Sequence, residues 1–223
     1  VTASGSGSWS YTTTGSVTNA STCTFTANAS DLAGNASAFS AAWIEGTAGN
    51  DTFAFASEAS LGASMAVNGN VGADRIYMTT ATTLGSGDFA NVSSVQTLQM
   101  TGANTITLGA DAAAAGIVNV ITGTGATSIT DSNGVTLNVN ATALANDTAL
   151  TLIGSAAETV TGLVGDIAAG SLTGALTVTT GDATDNTISI TTGSAATSIT
   201  DNFNTVTVTV NAAALANNTA LTL

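Results

Sequence analysis

The sequence predicts an all-β chain, with partial sandwich strands at its start followed by a parallel β-solenoid, a β-roll or β-helix, built from tandem repeats. Three observations carry that expectation. The stretch TGTGATSITDSNGVTLNVNATALANDTALTL, residues 122–152, returns as TGSAATSITDNFNTVTVTVNAAALANNTALTL, residues 192–223. The copies agree at 23 of 31 aligned positions and make Asp131 and Asp201 equivalent. Composition is the second: of 223 residues 44% are hydrophobic but only 4% aromatic, and Pro and His are absent. Val, Ile and Thr suit a pleated surface, while Gly and Asn supply turns. The third is alternation over short runs, as in Val135, Leu137 and Val139, bounded by Gly and Asn.

Charge narrows the partners. One basic residue, Arg75, stands against 14 acids, for a net charge of −13. Phosphate backbones and anionic membranes find little to bind, so no nucleic-acid partner is expected. Carboxylates without basic partners repel one another unless cations sit among them, which points to Ca²⁺, a hard ion with oxygen ligands. The alternative is that acidity serves solubility outside the cell. Cys23 is the single cysteine and no His accompanies it, which excludes an internal disulfide, a zinc site and a Cys/His nucleophile; a small buried hydrophobe is its expected role. No apolar run reaches the length of a membrane span, so membrane insertion is not expected. Val1 opens the chain without a recognisable signal segment and the first β unit starts in its middle. The chain therefore reads as a piece of a much longer polypeptide.

Residues 1–43 hold Trp9, Tyr11, Phe25, Phe39 and Trp43, half of all the aromatics. Trp9, Tyr11 and Thr13 share one strand face, Cys23, Phe25 and Ala27 another, and DLAGN, residues 31–35, is a turn. This WSYT…TFTANASDLAGN pattern resembles the C-terminal part of the bacterial Ig-like repeats of giant surface adhesins. A complete sandwich of that kind takes about 100 residues, so the resemblance implies only its last strands.

From residue 44 the text changes. IEGTAGNDTFAF places Gly46, Gly49, Asp51 and Phe53 in a G-x-x-G-x-D-x-U order, and VNGNVGADRIY repeats it with Gly69, Gly72, Asp74 and Ile76. These resemble the glycine-rich Ca²⁺ repeats of secreted RTX proteins, with Thr47 and Asn70 in place of the second glycine. The resemblance implies Ca²⁺ held at Gly46, Gly49, Asp51, Gly69, Gly72 and Asp74, through turn carbonyls and the Asp carboxylates. The competing role for each Asp is to cap backbone N–H groups of its own turn. Asp182 and Asp185, in TTGDATDNT, are a further acidic pair with the same two readings. Asp131 and Asp201, in SITD, are weaker metal candidates because glycines do not precede them. The DFANVSSVQTLQMTGANTITL phrase, from residue 88, resembles a recurrent strand of bacterial S-layer and related β-strand-repeat proteins.

Residues 44–121 are thus read as the start of the solenoid and 122–223 as tandem repeats of about 70 residues, each a stack of smaller units. Three coils of about 23 residues, an ordinary length for a solenoid turn, would make each repeat and match the spacing of Asp51 and Asp74. Val135, Leu137 and Val139 are expected inside, as are Val206, Val208 and Val210. Thr136, Asn138, Thr207 and Thr209 are expected outside. Helix is expected only as single turns, such as residues 110–116 and 211–218, whose alanines could instead fill tight corners.

Catalysis is not expected. His and Lys are absent and Arg is single, which removes the usual bases, Schiff-base amines and phosphate clamps and leaves paired carboxylates. Of these Asp182 and Asp185 are the closest, but they lie in an expected turn. The function expected is that of a structural repeat segment of a secreted bacterial cell-surface protein: a stiff scaffold or spacer in an adhesin, S-layer or filament, stabilised by Ca²⁺. Its partners would be copies of itself or adjacent repeats of the same long chain. An alternative is a module binding a glycan or host surface, and a lesser one is ice binding by ranked threonines.

Overall fold

The structure, a computed structural model, describes residues 23–25, 42–62, 65–183 and 187–223. The expected sandwich strands around Trp9 and Tyr11 and the DLAGN turn lie outside the described residues. One short strand of that region is described: β1 (Cys23–Phe25) pairs antiparallel with β2 (Ala42–Glu45). Residues 43 and 44, on either side of the expected boundary, both lie in β2, which binds β1 on one edge and the solenoid on the other.

The first coils have three walls. After β2 come β3 (Thr52–Phe55), the helical turn α1 (Glu58–Leu61), β4 (Met65–Asn68), β5 (Arg75–Met78), β6 (Thr83–Leu84), a 3₁₀ turn (Ser86–Phe89), β7 (Val92–Ser93), β8 (Thr97–Gln99), β9 (Asn104–Leu108) and α2 (Ala110–Ala115). One wall is β2-β4-β7, a second starts β3-β5-β8 and a third β6-β9, all parallel. The helical turns contact one another from coil to coil and bury Leu61, Phe89, Ala112 and Ala115. The alanines of α2 favour helix, and Gly116 ends it at φ 94°, where a Cβ would be strained.

Beyond α2 only two walls continue. The chain alternates through β10 (Asn119–Ile121), β11 (Thr127–Asp131), β12 (Leu137–Asn140), β13 (Ala149–Gly154), β14 (Glu158–Leu163), β15 (Asp166–Leu172), β16 (Leu176–Thr180), β17 (Thr187–Thr191), β18 (Thr197–Thr200), β19 (Thr207–Asn211) and β20 (Leu221–Thr222). Even-numbered strands extend β3-β5-β8 to nine strands, and odd-numbered strands extend β6-β9 to seven. The chain is a parallel β-solenoid of repeats. Its nine-stranded wall holds an in-register column of Phe53, Ile76, Leu98, Val120, Val139, Val160, Val178 and Ile199. Every member is buried. Period-two alternation turns these side chains inward and their neighbours outward, and from Val139 to Ile199 those neighbours are Thr, Ser or Asn.

The repeat does not divide into three whole coils. From β11 to its copy β18 the chain makes seven strand-to-strand steps, which is three and a half coils. Each coil then averages about 20 residues, at the short end for stacked repeats. The two TSIT strands therefore lie on opposite walls, and so do β12 and its copy β19. Coil length also varies: Thr127 pairs with Leu150 over a long coil, but Ala149 pairs with Asp166 and Glu158 with Leu176 over short ones. Leu137 and Val139 are interior as expected, but Val135 is 45% exposed. The Asn133 side chain accepts the Val135 N–H at 2.8 Å, which closes a turn before β12 begins and leaves Val135 outside it. In the second copy Val206 is buried, while Val208 and Val210 are half-buried against the core. After Asn211, the last residue of β19, the chain turns at residues 213–214 and 217–218 without helix, so the alanines there fill a corner.

If the interior column carries stability, Leu98→Ala should cost about 2–5 kcal/mol, the range for leucine truncation in a packed core. The outward Thr177→Ala should stay within about 0.5 kcal/mol. Urea denaturation of the two variants checks the difference.

Candidate functional site

The glycine–aspartate turns stack on one another. A Cβ on Gly46 would collide with the Gly69 carbonyl oxygen, and one on Gly69 would collide with that of Ser94. Glycine is required there because successive backbones approach too closely for any side chain. Gly72, at φ 147°, sits against the Gly49 carbonyl in the same way, and the Gly49 N–H donates to Thr47 Oγ1 at 3.2 Å.

The two aspartates between these turns are buried and adjacent. Thr47 donates its N–H to Asp51 Oδ2 at 2.7 Å and its hydroxyl to the same oxygen at 3.0 Å. Asp74 Oδ1 accepts the Asp51 N–H at 2.8 Å. Gln96 continues the ladder one coil on, its Oε1 accepting the Asp74 N–H at 2.8 Å. Sequence alone does not mark Gln96 as a member, because its segment lacks the glycines. Asp74 Oδ2 has no partner. Burial raises the Asp74 pKa above its ordinary value, the Asp51 N–H works against that, and the Asp51 charge adds to it.

These residues fit a cation in part. Thr47, standing where the RTX pattern has glycine, already occupies the Asp51 carboxylate, so Asp74 Oδ2 is the oxygen left over. Among the described residues no three His, Cys, Asp or Glu side chains converge. Asp182 is exposed beyond the end of β16 and belongs to no such group, and Asp185 lies outside the described residues.

A second acidic pair lies inside the coil. Asp131 ends β11 and Glu158 opens β14, so they enter the core from opposite walls, at 0% and 1% exposure. Asp131 Oδ1 accepts the Asn133 N–H at 2.9 Å. Asp131 Oδ2, both Glu158 carboxyl oxygens and the Asn133 amide nitrogen have no partner. Burial raises the Asp131 pKa against the pull of the Asn133 N–H. Burial, and secondarily the Asp131 charge, pushes Glu158 up to about 9. The sequence held a signal for Glu158: in ETVTGL it shares the inward alternation of Val160. Asp201, the repeat equivalent of Asp131, is exposed; its Oδ1 accepts the Phe203 N–H at 3.0 Å and the Thr180 hydroxyl at 2.7 Å.

Two surface features bear on ligands. An open groove of about 550 Å³ is lined by Glu58, Thr82, Thr83, Asn104 and Thr105 with small alanines, and no aromatic ring. Phe53, Phe55 and Phe89 are buried and Phe203 packs against the core. Among the described residues no helix is long and apolar enough to cross a membrane. No protein family, curated protein or solved structure matches the chain.

The Glu158 carboxyl is ordinary in the unfolded chain, near 4.5, and raised to about 9 in the fold. Between those values the folded state holds a proton that the unfolded state has lost, so stability falls as pH rises. In metal-free buffer the melting temperature should therefore drop from pH 5 to pH 9. Glu158→Gln should flatten that slope, read by circular dichroism melts across the range.

Proposed function

We propose that the chain is a structural repeat segment of a secreted bacterial cell-surface protein, a stiff scaffold or spacer in an adhesin, S-layer or surface filament. The observation that carries this reading is the unbroken interior column from Phe53 to Ile199. Each coil bonds its backbone to the next, so length grows by adding coils and bending would have to break many parallel hydrogen bonds together. Partners on this reading are further coils, from adjacent repeats or other copies, because the last strands of a solenoid offer unpaired edges. Calcium enters as a stabiliser of the glycine–aspartate turns. Asp74 would hold it through Oδ2, and a bound cation would offset the repulsion between Asp74 and Asp51. A glycan-binding module has less support, since Phe53, Phe55 and Phe89, which could stack on sugars, are buried, and Tyr77 stands outward without a second ring beside it on its strand.

Fusing a second copy of residues 154–223 after Leu223 tests the scaffold. The added three and a half coils should lengthen the particle by about 17 Å at about 4.8 Å per coil, measured by small-angle X-ray scattering. A globular increase in both dimensions would defeat the reading. Electron micrographs at rising concentration should show filaments or sheets.

One observation favours a second reading. Thr159, Thr177 and Ser198 stack in one outward column of the nine-stranded wall, beside Thr161, Thr179 and Thr200 in the next. Such a hydroxyl grid, about 4.8 Å by about 7 Å, is the regular surface that ice binding would use. Ice recrystallisation assays check it: inhibition that is lost in a Thr161→Lys/Thr179→Lys variant supports ice binding, and its absence in the parent chain removes it.

A further inference from the structure

We propose that Asp131 and Glu158 form a cation site inside the solenoid, taking one hard divalent cation of the Ca²⁺ or Mg²⁺ kind. This place is separate from the glycine–aspartate turns.

The argument begins with position. In the seven-stranded wall Asp131 lies between Leu108 and Gly154; in the nine-stranded wall Glu158 lies between Leu137 and Leu176. Both acids thus occupy inward steps next to leucines. Gly154, at φ 133°, leaves the step beside Asp131 without a side chain, and a Cβ there would collide with the Asp131 carbonyl oxygen. A short turn later Glu158 enters from the facing wall. The glycine lets the next backbone close directly over Asp131, and the second acid stands on the facing wall, near enough for the Asp131 charge to act on it.

Supply and demand of hydrogen bonds come next. The Asn133 N–H satisfies Asp131 Oδ1. Three carboxylate oxygens remain, Asp131 Oδ2 and both of Glu158, closed off from solvent and without a partner. Buried carboxylates persist only when paired, protonated or bound to metal. Pairing with a basic side chain is impossible. The sequence has no Lys or His, and its one Arg, Arg75, is on β5 with its guanidinium on Thr52. A divalent ion balances both carboxylates at once, and an all-oxygen donor set selects a hard ion over zinc or copper. Backbone carbonyls and water would complete its shell. The site is internal, so it stands whatever the chain binds outside.

The test uses the full chain, stripped with chelator and returned to Ca²⁺ or Mg²⁺ at pH 7. Metal content after desalting and the melting temperature are both read. Glu158→Leu continues the Leu137 and Leu176 column and should fold; Asp131→Asn keeps the Asn133 bond and serves as the second variant. Either substitution should lower metal content by one equivalent per chain and abolish that part of the cation-induced rise in melting temperature, whereas Asp74→Asn should leave it in place. Equal metal content in the parent chain and both interior variants overturns the proposal, since the pair then holds protons. Loss of the response only in Asp74→Asn also overturns it, by assigning the ion to the turn.

Discussion

Parallel, in-register stacking is the constraint on which everything else here depends. When strand lies on strand without slip, each inward position becomes a step in a column running along the axis, and each step must fit those above and below. The column from Phe53 to Ile199 shows the result, with Phe, Ile and Leu where three walls enclose the core and Val through most of the two-walled part. The requirement is imposed at each half-coil, not at each full turn. Any short stretch with inward aliphatics at alternate positions and a turn at its end can serve on either wall. That is why one long repeat can make three and a half coils and place its two copies on opposite faces.

Stacking leaves the corners to be solved separately, because strand hydrogen bonds stop where the chain turns. Side-chain oxygens take over there. Asp74 accepts the Asp51 N–H, Gln96 that of Asp74, and Asn104 that of Thr82, each from about one coil away. The acidic composition gains a physical explanation from this. An Asp at such a corner is an inter-coil hydrogen-bond acceptor, stabilised by backbone N–H dipoles. Part of the surplus negative charge is thus met without basic side chains. Asp131 and Glu158 are different, since Asp131 Oδ2 and both Glu158 oxygens accept no such bond.

The repeat, the alternation and the small side chains make the solenoid legible in the sequence, including the inward Leu137 and Val139 and the α2 turn that Gly116 ends. Coil length is not legible, because spacing in sequence counts residues and not walls: the early coils carry helical turns as part of a third wall, and the later ones differ in the turns between their two strands. The buried aspartates are half legible. Glycine spacing locates Asp51 and Asp74, but which oxygens are committed depends on Thr47 and Gln96, whose roles arise only from stacking. Glu158 escapes any search that looks for acids in turns, since its meaning lies in its phase with Val160.

The exchange of faces between copies bears on what the outer surface can do. Thr83, Thr105, Ser128 and Thr151 follow one another on the outside of the seven-stranded wall, and Asn138, Thr159, Thr177 and Ser198 do so on the nine-stranded wall. Over these stretches the two walls present the same outward chemistry. A site that recognises one ligand needs asymmetry, with unlike groups converging from different elements. A column of like hydroxyls instead offers the same weak contact again and again along its length. Strength then comes from the number of coils engaged, which is how a spacer or lattice element gains from repetition and how a single pocket does not.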